Sequence, residues 1–125
     1  MRENEKFLYN VSYLQERLDD AFSDARASYK VLEKHDSDLR YQLSLTYMNM
    51  SFQSYIEAKR IYKEAHLEHR EFEGFFEAYK KYKFELKKVI TEKDQNTSWL
   101  YSRYETLSKE KKELDLFIKG VFQNS

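Results

Sequence analysis

The chain has 125 residues, enough for one domain, with no proline, no cysteine and only two glycines, Gly74 and Gly120. Tight turns need glycine and proline while helix interiors exclude them, so a turn-rich β or α/β fold is ruled out; disulfide and thiolate chemistry is ruled out too. Lys plus Arg number 22 and Asp plus Glu number 22, and that balance argues against nucleic acid as a partner, because phosphate binding calls for a basic excess.

Charged residues make up 35% of the chain and aromatics 17%. The first figure suits solvated helical faces, and the second demands somewhere to bury many rings. The opening residues, Met1 to Lys6, lead into no unbroken apolar run, so neither a signal peptide nor membrane insertion is expected.

From there, apolar residues recur at Val11, Leu14, Leu18, Phe22, Ala25, Tyr29 and Leu32. They continue at Leu39, Leu43, Tyr47, Met50, Ala58, Ile61 and Ala65. The mean step of about 3.6 residues is the helical period. It predicts one helix over about 5–69, with at most a kink at His35-Asp36-Ser37-Asp38. A second pattern through Phe72, Phe76, Tyr79, Leu86, Ile90, Leu100, Tyr104, Leu107, Leu114 and Ile118 predicts a second helix over about 75–119. Glycine can take the left-handed conformation that ends a helix, which places the hairpin turn at Phe72-Glu73-Gly74. The expected fold is therefore all-α, a single domain formed by a long antiparallel two-helix hairpin. The alternative is a three- or four-helix bundle with breaks near Asp36 and near Asp94, within the polar run Asp94 to Ser98.

Between Leu39 and Ala65, steps of 100° place a second apolar set almost opposite the first: Tyr41, Leu45, Met48, Phe52, Tyr55 and Tyr62, with Ile56 beside them. A hairpin buries one face per helix. A second face left over would mark a site for a partner helix, or else the middle of an internal bundle. Lys80-Lys81-Tyr82-Lys83 with Lys87-Lys88 reads as the solvated back of a helix. Trp99 lies off the main stripe, either as a cap on the core or as a partner contact.

Chemistry finds little footing. His66 and His69 stand three apart, but the residues three before them are Lys63 and His66, where a helical metal site wants a carboxylate. No nucleophile stands beside a base in a strained turn, and no glycine loop could cradle phosphate. No enzyme activity, metal or cofactor is expected.

Two long helices, the absence of cysteine and of a leader, and the aromatic-x-Gly sequence at Phe72-Glu73-Gly74 resemble the WXG-type helical hairpins of Gram-positive type VII secretion. The longer first helix resembles, more specifically, the small Lap-type targeting factors that accompany LXG toxins. Phe72 stands where the namesake Trp would be. The resemblance implies a targeting chaperone that binds the helical N-terminal region of a toxin, together with a second small helical protein. It also implies a cytoplasmic location, with leaderless export as a further route. The family's export signal, Tyr-x-x-x-Asp/Glu, has the spacing of Tyr101 and Glu105 and also of Tyr29 and Glu33. A structural homo-oligomer or spacer, pairing the second face with its own copy as a homodimer, is the alternative function.

Overall fold

A computed structural model describes residues 3–34 and 37–124. They form four α-helices: α1 Glu3–Lys34, α2 Leu39–Glu64, α3 Arg70–Glu92 and α4 Ser98–Gln123. There is no strand among the described residues, and none of their helices is long and apolar enough to cross a membrane.

Cross-contacts give the topology. Ser44 meets Ser28 and Ser51 meets Ala21. One number rises by seven as the other falls by seven, so α1 and α2 are antiparallel. Tyr55 meets Tyr79 and Tyr62 meets Phe72 in the same sense between α2 and α3. Tyr29 with Tyr104 and Asp19 with Lys111 do so between α1 and α4. The chain thus runs up, down, up, down as a four-helix bundle.

The core positions explain the pairing. α1 buries Val11, Leu14, Leu18, Ala21, Ala25 and Ser28, and α2 buries Tyr41, Ser44, Met48, Ser51, Tyr55, Ala58 and Tyr62. Both sets alternate steps of three and four, the seam spacing of packed helices. Leu100, Tyr104, Leu107, Lys111, Leu114 and Ile118 of α4 follow the same rule. Alanine and serine in the α1–α2 seam have little side chain to hold the backbones apart, so this pair packs closest. α2 and α3 stand further apart. Rings fill that space: Tyr55 stacks on Tyr79 with centroids 4.1 Å apart, and Tyr62 packs against Phe72 and Phe76. Tyr29 stacks on Tyr104 at 4.3 Å between α1 and α4. The molecule is two tight helix pairs joined through aromatic side chains, each fully buried ring contributing about 1.5–3 kcal/mol.

The long hairpin is not what forms. The helix expected over 5–69 is two helices, and the one expected over 75–119 is parts of two more. Asp36 itself lies outside the described residues, but α1 stops at Lys34 and α2 starts at Leu39, so the chain reverses between them. The other reversal expected for a bundle falls where the polar run lies, between Glu92 and Ser98. There Asn96 N–H donates to Asp94 Oδ1 at 2.9 Å, and Ser98 N–H donates to Asn96 Oδ1 at 3.1 Å.

The hairpin turn is also misplaced by the glycine rule. Gly74 is helical, inside α3, and neither glycine has positive φ. The left-handed residues are His66 at φ 55° and Lys93 at φ 50°, and histidine is among the side chains that tolerate that region better than most. The turn into α3 therefore comes at His66, ahead of Phe72 and Gly74. A Cβ at Gly74 would stand 2.6 Å from Glu110 Oε2 of α4, the far end of a flexible side chain, and meet no backbone of the neighbouring helix.

Candidate partner-binding surface

Folding back at the α1–α2 turn covers most of the face assigned to a partner. Tyr41, Met48, Tyr55 and Tyr62 are buried in the core. The inference from an uncovered second face therefore fails for these four, which are buried: Met48 reaches Ser28 of α1, and Tyr55 and Tyr62 pack on rings of α3. Each is held by neighbours within the chain. Arg40 lies over the Tyr41 ring at 4.5 Å and donates to its hydroxyl at 3.0 Å. Met48 Sδ is 4.0 Å from Ser28 Oγ. Tyr62 accepts a hydrogen bond from the His69 N–H at 3.0 Å, which ties the α2–α3 turn to α2.

Conversely, part of the stripe taken as the core is outside. Leu39, Leu43 and Met50 are exposed. Ser44 and Ser51, absent from either apolar set, are inward positions and fully buried. The phase that joined 5–69 into one helix was thus carried partly by surface residues.

Three predicted partner residues remain accessible. Leu45 is 38% exposed, Ile56 48%, and Phe52 is half-buried. Across from them α3 offers Phe84, 69% exposed, on a turn away from the core positions Tyr82 and Leu86. Phe52, Ile56 and Phe84 line a groove of about 680 Å³ between α2 and α3, with Tyr55 and Tyr79 at its base. Its remaining walls are Lys59, Arg60, Lys63, Lys80, Lys83 and Lys87. Three of the five lysines of the basic run are therefore not a plain solvated back: Lys80, Lys83 and Lys87 turn toward α2. Lys83 Nζ sits 3.0 Å from the centre of the Phe52 ring, and Lys59 Nζ 4.7 Å from that of Phe76. Burial pulls both amines below the usual lysine range, Lys87 adding to this at Lys83 and Lys80 at Lys59. Phe84, an aromatic among lysines and off the core spacing, was the sequence signal that could have found this wall.

The remaining predicted residues do not gather at the groove. Phe72 is fully buried, and its ring meets Tyr62 and Phe117. Tyr101 and Glu105 are exposed on α4, whose helix continues to Gln123. Tyr29 is buried against Tyr104. Trp99 is 68% exposed and does not cap the core. His69 packs on Phe117 with ring centres 5.1 Å apart, and no group of three or more metal-ligating side chains is found among the described residues.

The hydroxyls of Ser28, Ser51, Tyr79 and Tyr82 are bound within the bundle. Ser51 Oγ donates to the Ala21 carbonyl at 2.5 Å, and Ser28 Oγ to the Ala25 carbonyl at 2.5 Å. Each serine has one proton to give, so Tyr79 donates to Ser51 at 2.8 Å, while the Ser28 and Tyr82 hydroxyls lie 2.7 Å apart and both reach the Ala25 carbonyl, Tyr82 at 3.2 Å. These are fixed structural bonds, and the accessible chemistry lies at the α2–α3 groove. In comparisons with known proteins no family model matches this chain, and no curated protein or solved structure does.

Proposed function

We propose that this chain is a non-enzymatic adaptor that binds a helical partner protein. The observation that carries it is the α2–α3 groove, where Phe52, Ile56 and Phe84 leave apolar surface on a chain whose core is otherwise closed. A groove between two helices is the form of surface that takes an amphipathic helix. The buried serines Ser28, Ser44 and Ser51 give their hydroxyls to backbone carbonyls inside the seam.

The helical N-terminal region of an LXG-type toxin, delivered to type VII secretion, is the partner we propose. That identity rests on the resemblance alone, and its turn motif, Phe72-Glu73-Gly74, is helical here. Co-expression with the helical N-terminal region of an LXG toxin tests both parts. The pair should co-purify, and Ile56→Glu with Phe84→Glu should abolish the complex while leaving helicity and thermal unfolding unchanged. A complex that survives both changes places the interface elsewhere. A chain that forms a stable homodimer and ignores the leader is a structural oligomer instead.

A further inference from the structure

The charge of the α2–α3 groove says what kind of helix would fit it. Six cations line it, and none of the described lining residues is acidic. Arg60 is already held by Glu57 and Glu64 of its own helix. The five lysines take part in none of the ion pairs among the described residues. Over the chain as a whole the charges cancel, 22 against 22, so this is a local excess gathered by folding. Lys59 and Lys63 come from α2 and Lys80, Lys83 and Lys87 from α3. Lys59 already feels Glu73 and Glu77, but at Lys83 the charge that acts is another cation, Lys87. Like charges crowded beside apolar walls are costly, and burying them against an opposite charge favours the matching partner over others.

The groove follows α2 from Phe52 to Lys63, roughly 17 Å at the helical rise, or about three turns. We propose that it receives an amphipathic helix of a partner protein, with the apolar stripe on Phe52, Ile56 and Phe84 and acidic residues on both flanks against the lysines. This rests on the adaptor function and adds the chemistry of its partner. A flat anionic membrane fits less well, because the apolar base at Tyr55 and Tyr79 lies below two lysine-bearing rims. Phosphate backbones match the lysines but not the aliphatic wall at Ile56.

Labelled synthetic helices read by fluorescence anisotropy against the whole chain test the assignment. One peptide carries leucines at i, i+3, i+4 and i+7 with glutamate flanks. A second replaces glutamate with lysine, and a third scrambles the first to break the stripe. The acidic amphipathic peptide should bind about tenfold or more tightly than either of the others, and added salt should weaken it. Lys80→Glu, Lys83→Glu and Lys87→Glu together should remove binding. Lys81→Glu with Lys88→Glu, off the groove, should leave it intact, with circular dichroism confirming that both variants fold. Equal binding of the three peptides, or equal damage from both sets of changes, overturns the proposal. So does binding of phosphatidylserine vesicles without the peptide, or a homodimer lost on Phe84→Glu. A toxin leader that still co-purifies with the triple lysine variant sinks the acidic-helix assignment but leaves the adaptor function standing.

Discussion

Ser51 shows how one small side chain governs this bundle. It is fully buried, bonded to the Ala21 carbonyl of α1, and it receives the Tyr79 hydroxyl of α3. A single residue thus joins three helices. Two substitutions separate its roles. Tyr79→Phe removes one hydroxyl and keeps the ring stacked on Tyr55, so it should cost about 1 kcal/mol. Ser51→Leu drives extra methylenes into the closest helix contact and should cost about 1–3 kcal/mol or more. Urea denaturation of both variants checks the order; a Ser51→Leu protein as stable as the parent would mean that the α1–α2 seam has room to spare.

At the scale of the helix, glycine and the left-handed turn have exchanged places. The chain turns at His66 and Lys93, and Gly74 lies inside α3. Helical glycine is disfavoured against alanine by about 0.8–1.0 kcal/mol. The one atom group in the way of a Cβ at Gly74 is the carboxylate end of Glu110, a flexible side chain that can swing aside. Gly74→Ala should therefore raise stability by about 0.5–1 kcal/mol, read as a higher urea midpoint at unchanged slope. A fall in the midpoint would show that Glu110 is held in place. Lys111 belongs to the same scale. It occupies a buried seam position of α4, where it reaches Asp19 of α1 and Asp115 one turn on, both at 2.7 Å. An ion pair at a seam position sets which helices meet and in what register more than it adds stability.

For the whole molecule, the aromatic layer makes stability depend on alkaline pH. Burial, with Glu33 and Tyr101 adding at Tyr29 and Glu77 at Tyr55, pushes both phenols up to about 12. Burial raises Tyr79 and Tyr82 further still, against the serine hydrogen bonds that pull the other way. In the unfolded chain tyrosine titrates near 10. A raised folded value means the fold favours the neutral phenol, so this stability is complete below about pH 10 and is lost as pH climbs toward 12. Thermal melts over that range, with tyrosinate absorbance at 295 nm, should show falling midpoints and phenols that ionise only on unfolding. Ionisation of Tyr29, Tyr55, Tyr79 and Tyr82 near pH 10 in a folded protein would contradict the packing of these rings.

The sequence by itself determined that the protein is helical, because the scarcity of glycine and proline and the spacing of apolar residues are local properties. It also marked both polar stretches at which the helices part, near Asp36 and Asp94, without deciding that they were turns. Tertiary structure alone decided that Ser44 and Ser51 face inward while Leu39, Leu43 and Met50 face out. A serine can be buried when its hydroxyl finds a neighbouring helix's carbonyl, and no single-helix hydrophobicity pattern contains that neighbour. For the same reason four of the seven proposed partner residues became core, and lysines from two distant segments met around Phe84. The cationic groove exists only once α2 and α3 are set side by side, so the balanced net charge gave no sign of it and Phe84 among lysines marked only one wall.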